Sequence, residues 1–268
     1  RFSIPMGTDE QRDVPIETYK ENFKSTVSFI KPDTSNGSME IDFQIKTPAV
    51  DFDLAHAGKG PSDGWFFFST YNTEKAHELL EVNASQRDKD FILAVNRKKA
   101  EQYVKDGKGK KIPGKHYMNH YDESTHTASS KMIEEVLQLD PAELADLLYF
   151  MPCPKSPHGC DVDPSGEYIV GSGKLAATLP VFSFAKMQTA IANKDFEGDY
   201  DGIPVLKYES VLHGEVKKPG LGPLHTEFDN NGFAYSSMFV SSEIVKWNVK
   251  TLEVVDRVPT YYSIGHLS

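Results

Sequence analysis

The chain has 268 residues, a mass of 30.0 kDa, 39% hydrophobic residues and a net charge of −10 with a pI near 5.4. That length and apolar content support a sizeable core and exclude wholesale disorder, while the acidic balance leaves no basic stripe to follow a phosphate backbone. No apolar run approaches the ~20 residues that cross a bilayer as a helix.

The chain opens on Arg1-Phe2-Ser3-Ile4-Pro5, without a Met or a leader, and closes on His266-Leu267-Ser268. Both ends read as cut from a longer protein. Ser25–Ile30 and Met39–Ile45 flank the turn-forming run Pro32-Asp33-Thr34-Ser35-Asn36-Gly37 and predict a hairpin. Gly64–Thr70 and Asp90–Val95 read as buried strands, and Arg97–Val104 as a short helix. Between them, Tyr71-Asn72-Thr73-Glu74 and Arg87-Asp88-Lys89-Asp90 supply hard oxygen donors, explained either by surface capping or by a calcium site.

Gly107–Leu148 interrupts this strand pattern. It begins Gly/Lys-rich and passes through His116, Tyr117, His120, Tyr121 and His126, a solvated loop or a loose zinc cluster. It then turns helical: Asp140 ahead of Pro141 is a capping signal, and Leu144, Leu147 and Leu148 supply an apolar stripe. The expected architecture is therefore all-β with a short helical excursion near residues 128–149. Beyond it, strands are predicted at Tyr168–Gly171, Val181–Phe184, Val245–Trp247 and Glu253–Val258, with a long connecting loop over Gly198–Gly222.

Cys153 and Cys160 have no second pair with which to complete a zinc site. Buried thiols, a disulfide or a soft-metal contact remain open. His56, His77 and His213 have no evident partners in the sequence. There is no nucleophile elbow, P-loop or dinucleotide fingerprint, and Gly171-Ser172-Gly173-Lys174 lacks phosphate-loop spacing.

One pattern occurs twice. His158 is followed by Asp163, Gly166 and Tyr168, and His225 by Asp229, Gly232 and Tyr235, about 67 residues apart. The Asp-to-Gly segments read as tight turns between two strands, so the repeat is a strand–turn–strand unit of a radial or stacked β architecture. Each unit places an imidazole at the same point, and His266 sits in a similar Gly-His setting. Around an axis these three would converge as ligands for copper, zinc, nickel or iron; otherwise they are packing residues of a non-catalytic, calcium-binding propeller scaffold. Asp163 and Asp229 either support the histidines or make the turns.

The runs Pro157-His158-Gly159 to Tyr168, Gly173-Lys174-Leu175, Gly222-Pro223-Leu224-His225-Thr226 to Tyr235, and Lys246-Trp247-Asn248 resemble nitrous oxide reductase. The likeness reaches back to Arg1 and forward to Gly265-His266. The length of the Gly107–Leu148 excursion resembles the family's divergent second group. The resemblance implies that residues 1–268 are part of a seven-bladed β-propeller, with N-terminal blades and a C-terminal cupredoxin domain outside it. It implies a four-copper sulfide cluster with His158, His225 and His266 as three of seven histidine ligands. It also implies calcium at Tyr71, Glu74, Val82, Asp88 and Ser156, the last where the family pattern has Asn. The family reduces nitrous oxide in the periplasm as a head-to-tail homodimer, with electrons from a protein such as a cytochrome c or cupredoxin entering at a binuclear copper site.

Overall fold

The computed structural model describes residues 2–3, 25–48, 50–72, 90–113, 118–122, 127–131 and 135–268. Alternating apolar residues and frequent turn signals there produce antiparallel meanders. The first sheet takes β1 (Phe2–Ser3), β2 (Ser25–Asp33) and β3 (Ser38–Thr47). The predicted hairpin is β2–β3, paired antiparallel from Ser25↔Thr47 to Asp33↔Ser38.

Three four-stranded meanders then follow in chain order. The first is β4 (Asp51–Ala57), β5 (Trp65–Asn72), β6 (Phe91–Asn96) and, after an intervening segment, β11 (Leu148–Pro152). Helix α1 (Arg97–Lys105) leaves β6 under an Asn96 cap whose side chain accepts from the Lys99 N–H. The second meander is β12 (Pro157–Val162), β13 (Tyr168–Gly173), β14 (Thr178–Ser183) and β17 (Leu212–Lys217). The third is β18 (Pro223–Phe228), β19 (Phe233–Met238), β20 (Glu243–Asn248) and β21 (Val254–Pro259). In each, the first strand in sequence forms one edge of the sheet, and β12 packs between β4 and β18. Successive meanders set side by side through their first strands make a propeller-like arrangement, here described as blades around a hub, and among the described residues no sheet closes on itself.

The core lies between the sheets. Phe67, Ile92 and Met151 of the first meander meet Cys160, Val162, Ile169 and Phe182 of the second. Val170, Leu179 and Val216 of the second meet Ala234, Met238, Val245 and Trp247 of the third. Each large side chain buried this way stabilises by about 1.5–3 kcal/mol, so each blade depends on the next. The Trp247 indole N–H donates to Ser236 Oγ at 2.9 Å, and Ser236 Oγ lies 2.7 Å from Thr226 Oγ1, so these three buried polar atoms are paired.

Two expectations are corrected. The helix near residues 128–149 is absent among the described residues. β7 (Lys110–Pro113), a hairpin of β8 (Met118–Asp122) and β9 (Thr127–Lys131), and β10 (Glu135–Leu139) occupy the region, with turns over 140–147. β10 pairs parallel with β3 and antiparallel with β7, so sheet partners on both sides outweigh helical propensity. Asp140 does accept from the Ala142 N–H, but the cap starts only a turn. His120 consequently sits on β8 rather than a helix, while His116 and His126 lie outside the described residues.

The segment read as a loop over Gly198–Gly222 instead carries much of β15 (Phe196–Tyr200), β16 (Ile203–Leu206), helix α3 (Tyr208–Val211) and β17. β16 joins the first meander parallel to β11. Ahead of it runs α2 (Phe184–Asn193), capped where Ser183 Oγ accepts from the Lys186 N–H, with Phe184, Met187 and Ala190 buried. Cys153 and Cys160 are free and buried, which sets the disulfide aside.

Candidate metal centre

The two repeated hairpins are β12–β13 and β18–β19, and their aspartates make the turns. Asp163 accepts from the N–H groups of Ser165 and Tyr168, and Asp229 from those of Asn231 and Phe233. Gly166 takes a φ of +75°, and a Cβ there would lie 1.8 Å from the Lys59 carbonyl oxygen. Neither aspartate hydrogen-bonds a hub histidine.

The hub edges of β4, β12 and β18 are irregular at matching points. In β4 the register slips between Phe52 and Ala55, in β12 between Pro157 and Gly159, and in β18 between Pro223 and Thr226. The residues inside these bulges include Asp53, His158 and His225. A bulge turns a side chain out of the pleat, and here it aims three polar groups at one place.

Gly159 allows that place to be tight. A Cβ on it would stand 2.6 Å from the Leu224 carbonyl oxygen, 2.9 Å from Asp161 Oδ2 and 3.0 Å from Ser172 Cβ. The two histidine-bearing strands therefore approach more closely than any other residue at this position permits. Across the first junction, the fully buried Ser69 hydroxyl donates to the His158 carbonyl at 2.5 Å and accepts from the Leu54 N–H.

The chain beyond β21 returns to the hub, where the Leu267 N–H donates to His225 Nδ1 at 3.0 Å. The His266 ring centroid lies 5.1 Å from that of His158 and 5.1 Å from that of His225. His158 Nε2 and His266 Nε2 are 3.4 Å apart, a separation that two metal–imidazole bonds of about 2.0–2.1 Å can span. All three histidines singled out in the sequence are thus brought together, two from first strands and one from the returning tail.

Carboxylates that the sequence reading missed surround them. Asp53 Oδ2 lies 2.6 Å from His158 Nδ1, which makes Nδ1 the protonated nitrogen and leaves the Nε2 lone pair facing His266. Lys174 Nζ lies 3.5 Å from the same Asp53 oxygen. Asp161, only 4% exposed, accepts from the Thr226 N–H at 2.8 Å and has its other oxygen 3.6 Å from His225 Nε2. That oxygen is also 3.8 Å from Nδ1 of His56, which accepts from the Val162 N–H. His56 therefore has partners that the sequence did not reveal. His213 points elsewhere, to the Lys250 carbonyl and the Tyr168 ring. A pocket of about 460 Å³ opens beside His158, Asp53 and Lys174, walled by Leu175, Leu224, Phe239 and Val240.

Neutral imidazoles backed by carboxylates are a donor set for transition metals, the carboxylate fixing the tautomer and ring orientation. His158 and His266 offer facing nitrogens, whereas His225 holds its Nδ1 lone pair against Leu267. Among the described residues no three His, Cys, Asp or Glu side chains form a ready-made metal cage. Of the calcium residues, Glu74, Val82 and Asp88 lie outside the described residues and Tyr71 is described only as backbone of β5. Ser156 is buried at a φ of +52°, its N–H donating to Asp90 Oδ2 at 2.8 Å. Burial, and then the charges of Asp90 and Asp161 respectively, push the Cys153 and Cys160 thiols well up.

The fold and site define a blade-built β protein whose hub gathers histidines and carboxylates. Comparison with known proteins gives this class its kin. The chain is similar to the nitrous-oxide reductase of Stutzerimonas stutzeri, at 26% identity over 276 aligned positions that cover 99% of this chain and 37% of the relative. It is similar to that of Ralstonia nicotianae at 32% identity, covering 74% of this chain and 28% of the relative. The chain is a relative of nitrous-oxide reductase, an oxidoreductase, and spans about a third of the length of these proteins. No protein-family model matches it. A hydrazine synthase chain of Kuenenia stuttgartiensis overlays with a TM-score of 0.42 at 12% identity, covering 90% of this chain and 53% of that one, a fit too loose to bear on the fold. Among the described residues no helix is long and apolar enough to cross a membrane.

Proposed function

We propose that the full-length protein carrying this chain reduces nitrous oxide to dinitrogen and water, and that His158, His225 and His266 are three of the histidines holding its copper. The observation that carries this reading is the meeting of three imidazoles from two adjacent blades and the returning tail, with the His266 ring 5.1 Å from each of the other two. The kinship with nitrous-oxide reductases supports copper as the metal, and in this reading the site is a four-copper sulfide cluster in a seven-bladed ring. When bound, such a cluster supplies the two electrons that, with two protons, convert nitrous oxide to dinitrogen and water.

The residues of this chain do the holding. Asp53 fixes the His158 tautomer and aims Nε2 at the shared centre, and Asp161 ties the backbone of β18 beside His225 to β12. Ligands from separate blades couple metal retention to the folded hub. Calcium at Tyr71, Glu74, Val82, Asp88 and Ser156, a periplasmic location, a homodimer and a cytochrome c or cupredoxin donor belong to the same reading, as what the resemblance implies.

The test is made on the full-length protein from a copper-replete host, by copper and acid-labile sulfide analysis and by nitrous oxide consumption with a reduced viologen. Expected are several coppers per chain, with turnover abolished by His158→Ala and by His266→Ala. A copper-free wild type, or a triple histidine variant that keeps its acid-labile sulfide and the full copper content of the wild type, overturns the proposal. It would leave the scaffold reading, in which His225 serves only to hold Leu267.

A further inference from the structure

We infer that Lys174 is a positioning residue for this centre: its ammonium, acting through Asp53, limits how strongly His158 donates to the metal. The inference rests on the proposed function. Lys174 is one residue past β13, and its Nζ approaches the Asp53 oxygen that also accepts from His158 Nδ1, at 3.5 and 2.6 Å respectively. One carboxylate oxygen is thus shared between a cation and an imidazole N–H.

The setting strengthens the effect. The side chains of Lys174, Asp53 and His158 are 20%, 22% and 13% exposed, and the rest of the pocket wall is Leu175, Leu224, Phe239 and Val240. The three charged or polar side chains are themselves largely covered, so solvent screens their mutual interaction less than it would at the open surface. An uncompensated carboxylate on Nδ1–H draws the imidazole toward imidazolate character and makes Nε2 a stronger donor. A positive charge on the same oxygen withdraws that density. Lys174 therefore favours the reduced, less positively charged metal, which raises the midpoint and eases loading of the centre with electrons.

The backbone reinforces the placement. The Lys174 N–H donates to the Ser156 carbonyl at 2.9 Å, so the loop that leads into His158 also carries the lysine.

The experiment compares the full-length, copper-loaded wild type with Lys174→Met and Lys174→Arg by spectroelectrochemical titration, with copper content measured in parallel. Expected for Lys174→Met is about a tenfold shift in relative affinity toward oxidised copper, a midpoint lower by about 59 mV for a one-electron step. Lys174→Arg, which keeps the charge, should stay close to wild type. Should the Met variant not fold, Lys174→Gln carries the same expectation. An unchanged midpoint in the neutral variants, or an equal shift in Lys174→Arg, overturns the inference and leaves the proposed function standing. A copper-free wild type overturns both.

Discussion

Replacing Gly159 by alanine tests the contact that brings the histidine strands together. The added methyl would begin 2.6 Å from the Leu224 carbonyl oxygen and 2.9 Å from Asp161 Oδ2. Ordinary contact begins near 3.4 Å, so β12 and β18 must part by roughly half an ångström or more. The carbonyl is backbone and cannot swing aside, and Asp161 is held by the Thr226 N–H. Overpacking of this kind costs about 1–3 kcal/mol, at about 2–4 °C in Tm per kcal/mol for a unit of this size. The same parting moves His158 away from His225, so copper retention should fall together with stability. The assay is thermal unfolding of the full-length protein with and without copper, alongside copper content after dialysis. Gly265→Ala is the control, because its Cβ would meet only Leu224 Cδ2 at 3.9 Å. If Gly159→Ala matches the wild type in both measures, or if Gly265→Ala loses as much, the argument from close approach fails.

Three further outcomes follow from the same contacts. Asp53→Asn removes the charge behind His158 and should weaken copper binding by about 10–100-fold in a chelator competition; unchanged affinity would deny Asp53 its role. The Asp229 carboxyl is held below its ordinary value of 3.8, first by the Phe233 N–H and further by the Asn231 N–H, Tyr235 and Lys246. Its stabilisation is present above that value and lost as pH falls below it, so Asp229→Ala should be less stable than wild type at pH 7, with the gap narrowing under acid; a gap constant with pH contradicts this. Cys153 and Cys160 should resist alkylation in the native protein at pH 8 and react after denaturation, read peptide by peptide in a mass spectrometer, and native labelling of either would show that its burial is not maintained.

Much of the hub was legible in the sequence because the repeat is local. His158 with Asp163, Gly166 and Tyr168, and His225 with Asp229, Gly232 and Tyr235, each specify a strand, a turn and a returning strand within about a dozen residues. What escaped was non-local. Asp53 precedes His158 by 105 residues, and no motif marks it. Asp161 reads as one more polar residue of a strand until β18 is laid beside it. The failure at 128–149 has the same cause: Glu135–Leu139 can form a helix or a strand, and the choice falls to β3 and β7, which the local pattern does not contain. The missed α2 differs, since Ser183 followed by apolar residues at 184, 187 and 190 is a readable helix start.

The bulges explain how such a hub can be both a sheet edge and a binding site. A regular first strand directs its side chains alternately to the two faces of its sheet, which here are the buried junctions between blades, and leaves unpaired backbone groups along its free edge. A residue meant to reach the hub must be rotated out of that alternation, and one extra residue in the strand does this. The slip costs ladder hydrogen bonds, so its groups need other partners. The His158 carbonyl finds the Ser69 hydroxyl, the His225 N–H finds Ser237 Oγ at 3.3 Å, and the Leu54 N–H finds Ser69 Oγ. Each partner is a small buried hydroxyl on the second strand of a blade. Replacing Ser69 by alanine would strand the Leu54 N–H and the His158 carbonyl together, at about 1–3 kcal/mol for each unsatisfied group. The hydroxyls at 69 and 237 thus support the bulges as much as the glycine at 159 permits their approach, and the aim of the imidazoles depends on both.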